Sequence, residues 1–96
     1  MPRPAKLDEA EIARRLQALP GWELAGGKLH RQFTFKDFVE AFRFMTGAAL
    51  EAERLGHHPE WFNVYNRVTV DLVTHDAQGI TALDFELAKR MEDLAR

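Results

Sequence analysis

The apolar positions of the chain follow two rhythms, and the switches between them mark out its elements. Ile12, Leu16 and Leu19 recur at helical spacing, with Arg14, Arg15 and Gln17 turned to water. Asp8 and Glu11 form a capping box, Leu7 and Ile12 take the staple positions around it, and Pro20-Gly21 ends the segment. The period then drops to two. Leu29, Arg31, Phe33 and Phe35 alternate with His30, Gln32, Thr34 and Lys36, and Gly26-Gly27 folds residues 22–25 back on 28–35 as a β-hairpin.

From about Asp37 the helical period returns in Phe38, Phe42, Met45, Ala49 and Ala52, predicting a long amphipathic helix to about Leu55. A second stripe, Ala41, Phe44, Ala48 and Leu55, lies a quarter-turn or more away by the 100° helical step. Two uses for it stay open: burial among neighbouring helices of the same chain, or a subunit interface. Residues 61–65 and 68–75 form a second hairpin about Asn66-Arg67, with Val68, Val70 and Leu72 on one face and His75 at its far end. After the loop 76–79, Thr81 caps a final helix with Asp84 in the acidic third position and Leu83, Leu87, Met91 and Leu94 as its stripe.

The order α-β-β-α-β-β-α predicts an α+β fold of two layers, a four-stranded antiparallel sheet with three helices packed on one face and the other face open. The 96 residues are expected to form a single domain, 1–96, with 1–6 as a loose arm. A core of this size is marginal, so self-association would add stability.

Composition narrows the function more than the fold. Thirteen basic residues stand against fifteen acidic, without a basic stripe, which disfavours direct nucleic-acid binding. The chain has no cysteine and no serine, so thiolate and serine nucleophiles are excluded. No stretch is long enough to span a membrane and no signal-peptide run is visible, so a cytoplasmic location is expected.

What remains is acid–base chemistry centred on Glu53-Arg54-Leu55-Gly56-His57-His58-Pro59, where a helix ends in two imidazoles and a proline. Imidazole titrates near neutrality, and Glu53, four residues before His57, lies on the same helical face if the helix reaches that far. Against this stands the plainer reading of the pair as a cap on the negative end of the helix dipole. Trp61, Tyr65, His75 and Asp84 recur at element junctions, where a cleft can form. A metal site is poorly supported: the adjacent histidines diverge on a helix, and no His-x-x-x-His pairing exists. The residues alone lead to a proton-transfer site and no further.

Glu53, His57-His58-Pro59, Tyr65, His75 and Asp84, separated by three, five, nine and eight residues, resemble the motif of the pterin-4a-carbinolamine dehydratase family. The flanking Phe44-Met45-Thr46 and the run from Pro59 to Asn66 are similar too, and the predicted element order is the family's. The resemblance implies dehydration of 4a-hydroxytetrahydropterin to quinonoid dihydropterin in tetrahydrobiopterin recycling, with neither cofactor nor metal. By the same carry-over His57 and His75 are the principal acid–base residues, and His58 is counted as catalytic while contacting the pterin. Glu53, which orients His57 or binds the ring, joins Trp61, Tyr65, Thr74 and Asp84 as substrate-binding. The family associates as dimers and dimers of dimers, which favours the interface use of the Ala41, Phe44, Ala48 and Leu55 stripe. Gly56 and Leu83 stand where animal members often carry Asp and Arg. The alternative is a non-catalytic scaffold or dimerisation cofactor on the same fold.

Overall fold

The computed structural model describes residues 4–96, so the first half of the expected arm, 1–3, lies outside the described residues. The order is α1 (Glu9–Leu16), β1 (Glu23–Ala25), β2 (Lys28–Thr34), α2 (Phe38–Leu55), β3 (Glu60–Val64), β4 (Arg67–Leu72), a short 3-10 turn (His75–Ala77) and α3 (Ala82–Leu94). The strands form one antiparallel sheet in the order β1-β2-β4-β3. This is the α+β arrangement the sequence predicts.

The described part of the arm is not loose throughout. The Leu7 backbone N–H donates to the Ile80 carbonyl at 2.8 Å, and Lys6 lies against Gly79. Asp8 caps α1, but that helix closes at Leu16, a turn before Pro20. The N–H groups of Gln17, Ala18 and Leu19 each reach back three residues, and this tighter winding still buries Leu19.

Register fixes the two faces of the sheet. Arg31, Val70 and Trp61 lie side by side, as do Phe33, Val68 and Asn63, on the face that carries the core. Glu60, Asp71 and His30 line up on the opposite, open face. On the core face Leu29, Phe33, Val68, Val70 and Leu72 pack with Phe44, Leu87 and Met91 from the helices.

The long helix presents to the sheet the face that the sequence left open between two uses. Ala41, Phe44, Ala48 and Ala52 are buried, with the Phe44 ring 4.6 Å from that of Phe33 and 5.0 Å from that of Phe35. The alanines let the helix approach closely while Phe44 fills the space between them. Ala41, Phe44 and Ala48 are therefore core, which corrects the expectation that this stripe makes a subunit contact. Of the other stripe, Phe38 and Phe42 face outward, both about half exposed with Val39 and Leu50 also bare, whereas Met45 packs against the core and Ala52 is buried. On α3 the buried side is Asp84, Phe85, Leu87, Ala88 and Met91, leaving Leu94 at the surface.

Candidate active site

The end of α2 sets the site. Gly56 adopts φ 63°, in the left-handed region, and its N–H donates to Glu53 O while the His57 N–H donates to Ala52 O. This pair of reversed hydrogen bonds stops the helix and swings the chain away from its axis. His57 therefore does not sit above Glu53 on a shared helical face. It turns inward, 8% exposed, and its Nε2 meets Asp84 Oδ1 at 2.5 Å. Glu53 bonds His58 instead, with Nε2 to Oε1 at 2.8 Å, both side chains being open to water. The expected pairing of Glu53 with His57 is thereby corrected: the helix ends before it can align them.

Asp84 is fully buried, and every contact made to it is a donor. Its Oδ1 takes the His57 Nε2–H; its Oδ2 takes the Thr74 hydroxyl at 2.8 Å and the Thr81 backbone N–H at 2.9 Å. Thr81 in turn lies 2.7 Å from Thr74 Oγ1 and accepts the Leu83 N–H, completing the capping box of α3. An ionised carboxylate accepts only, so at this contact the His57 Nε2–H is the donor. The cap read from sequence is thus also the floor of the site.

His75 arrives from the 3-10 turn that follows β4, a turn closed by the Thr74–Gly79 bridge. Its Nε2 bonds Glu60 Oε2 at 2.9 Å. Glu60 also receives the Lys28 ammonium on Oε1, and Lys28 first, then His75, holds its carboxyl below the usual carboxylate range. Gly56, His57, His58, Val73, Thr74, His75 and Asp76 line a cavity of about 200 Å³.

The structure therefore brings His57, His58, His75 and Thr74 together, with Asp84 beneath and Glu53 at the rim. Trp61 and Tyr65 lie elsewhere within this chain. Trp61 is on the core face of the sheet, packed against the apolar cluster. Tyr65 stands exposed in the β3–β4 turn at φ 51°, roughly 17 Å along an extended strand from Glu60. Glu60 is the residue that sequence reasoning missed. Its signal was the period of β3, which sends it to the same open face as Asp71 of β4. Among the described residues no group of His, Asp and Glu forms a metal-binding cluster, and no helix is long and apolar enough to cross a membrane.

The sequence matches the family described as Pterin 4 alpha carbinolamine dehydratase over residues 5–94. Two similar curated proteins, from Solibacter usitatus (strain Ellin6076) and Sinorhizobium medicae (strain WSM419), are both named "Putative pterin-4-alpha-carbinolamine dehydratase". The first is 59% identical over 90 residues, 94% of this chain and 95% of that protein; the second is 59% identical over 95 residues, 97% and 90% respectively. A similar crystal structure, described as a transcriptional coactivator/pterin dehydratase from Brucella melitensis, superposes with a TM-score of 0.92. It is 50% identical in sequence, covering 95% of this chain and 99% of that one.

Proposed function

Since the chain belongs to the pterin 4 alpha carbinolamine dehydratase family, we propose that it dehydrates 4a-hydroxytetrahydropterin to quinonoid dihydropterin and water. The observation that carries this reading is the meeting of His57, His58 and His75 at one small cavity, each imidazole held through Nε2 by its own carboxylate. The reaction breaks the C4a–O bond, delivers a proton to the leaving hydroxyl and removes one from the ring nitrogen as the C=N bond forms. Substrate becomes product plus water, so the protein must supply one acid and one base and regain both protonation states.

His57 and His75 take those two roles, because imidazole both donates and accepts near neutral pH. With Nε2 of each committed to a carboxylate, Nδ1 is the nitrogen left to exchange protons with a ligand. Asp84 acts through His57, fixing its ring and stabilising the imidazolium when it forms, as a buried carboxylate does for the histidine of a catalytic triad. His58, tethered to Glu53, contacts the pterin at the rim, and Thr74 borders the ring-binding space while steadying Asp84. Trp61 and Tyr65 have no part in this assignment within one chain. The reaction belongs to tetrahydrobiopterin recycling in the cytoplasm.

Self-association belongs to the same proposal. Phe38, Val39, Phe42 and Leu50 form an exposed apolar face on α2, and a second copy of the chain covers it. A non-catalytic assembly role is the second reading, favoured by the coactivator part of the Brucella protein's description.

Stopped-flow absorbance of freshly generated 4a-hydroxytetrahydropterin, with and without the protein, tests the activity. Acceleration in proportion to protein concentration supports the dehydratase. An unchanged spontaneous rate from folded protein transfers the case to the assembly role.

A further inference from the structure

We propose that Glu60 is a positioning residue for His75: its carboxylate, anchored by Lys28, accepts the His75 Nε2–H and leaves Nδ1 as the ring nitrogen free to exchange protons in the cavity. The inference rests on the dehydratase reading and adds to it a part played from the open face of the sheet.

Glu60 opens β3, and its register partners Asp71 and His30 place it on the face away from the core. From that face it reaches two neighbours with two separate oxygens. Oε1 takes Lys28 Nζ at 2.5 Å and Oε2 takes His75 Nε2 at 2.9 Å. Lys28 begins β2, so its ammonium crosses β4 at Asp71 to reach Glu60, and it also feels the Asp71 charge. His30 Nδ1 bonds Asp71 Oδ1 at 2.8 Å, so the like charges of Glu60 and Asp71, adjacent on paired strands, are each met by a base. A carboxylate held at both oxygens cannot turn without giving up a partner. Lys28 and His75 also keep it anionic at neutral pH.

His75 needs such a tether more than His57 does. His57 is enclosed by protein, whereas the His75 side chain is 76% exposed and projects from a turn of three residues. A solvent-facing imidazole without a partner samples several rotamers, and only those aimed into the cavity are productive. Exposed ion pairs contribute little to folding, so removal of Glu60 should be felt in turnover and hardly in stability.

The test compares Glu60→Ala, Glu60→Gln and Lys28→Ala with the unaltered protein. Glu60→Ala is expected to lower kcat about tenfold with KM within about twofold, since orientation of an acid–base group acts on the chemical step. Glu60→Gln keeps one oxygen for two donors, and with Lys28 on it the amide N–H turns toward His75, so this variant should stay impaired. Adding Lys28→Ala to it frees that oxygen for Nε2–H and should recover most of the loss. Lys28→Ala should fall between Glu60→Ala and the unaltered protein. Unchanged kcat in Glu60→Ala, or a Glu60→Gln/Lys28→Ala double variant as impaired as Glu60→Ala, would overturn the positioning role.

A second measurement does not depend on turnover. The ring nitrogen resonances of His75, followed by NMR in the unliganded protein, should move in Glu60→Ala while those of His57 stay in place. Resonances of His75 that do not respond would overturn the contact itself. A clear response in a protein that fails to accelerate dehydration would uphold the Glu60–His75 contact and count against the dehydratase reading alone.

Discussion

His57 and Asp84 lie 27 residues apart in the chain and meet in a hydrogen bond of 2.5 Å between a nearly buried imidazole and a fully buried carboxylate. The bond joins the end of α2 to the start of α3, and in the proposed reaction it also orients His57. The two roles separate by substitution. Asp84→Ala leaves the Thr81 N–H, the Thr74 hydroxyl and His57 without their acceptor, and should cost about 3 kcal/mol in a denaturant titration. Asp84→Asn keeps an oxygen for the Thr81 and Thr74 donors but turns an N–H toward His57, favouring the wrong tautomer. It should lose activity roughly a hundredfold or more with a smaller change in stability.

The histidines should divide in the same manner. His75 is exposed, so His75→Ala should unfold at the same denaturant concentration as the unaltered protein while turnover drops about a hundredfold. His57→Ala should lose comparable activity and also about 2–3 kcal/mol, because it strands a buried carboxylate. Equal stability of the two variants in chemical denaturation would contradict this division.

On α2, neighbouring phenylalanines should behave in opposite ways. Phe44→Glu puts a charge among Phe33, Phe35 and the buried alanines, and should leave no cooperative unfolding transition. Phe42 is 54% exposed, so Phe42→Glu should keep the circular dichroism of the folded protein. If α2 is the contact with a second copy, its mass by light scattering should fall. An unchanged mass would remove this face as the interface.

Glu11 provides a pH-dependent check on α1. Hydrogen bonds from Arg14 and then Arg15 lower its pKa from the ordinary 4.5 to about 2. A carboxyl with a depressed folded-state pKa adds stability above its unfolded value, and that stability is lost as pH falls through the folded value. Glu11→Gln should therefore be the less stable protein at neutral pH. The difference should close between about pH 4.5 and about pH 2 in urea titrations. A gap that persists at pH 2 would assign the effect to packing.

Much of this architecture is legible in the sequence because local signals and burial agree. Asp8 and Thr81 cap α1 and α3 as their sequence signals indicate, and alternation in β2 and β4 puts the residues it marks on the core face. What was not legible depends on contacts between elements. Helical period gives the angle between the two stripes of α2 but not which one meets the sheet. That choice came from alanines small enough for close approach and from Phe44 fitting against Phe33 of β2 and Phe35 just beyond it. The spacing of Glu53 and His57 misled because it assumes a continuing helix, whereas Gly56 reverses the chain between them. Glu60 acquires its role only when β3 pairs with β4 and His75 folds back over the open face. The spacing of the motif and its flanking run does not carry Tyr65 or Trp61 to the cavity of this chain, because strand length and strand parity place them elsewhere.

Two histidines in one cavity are proposed to share the proton transfers of the dehydration. The most direct measurement is stopped-flow turnover of 4a-hydroxytetrahydropterin by the unaltered protein, His57→Gln, His75→Ala and the double variant, each first shown to be folded. Marked acceleration is expected from the unaltered protein, with roughly hundredfold losses in each single variant and a double variant close to the spontaneous rate. Single variants that accelerate the reaction as well as the unaltered protein would contradict that shared role.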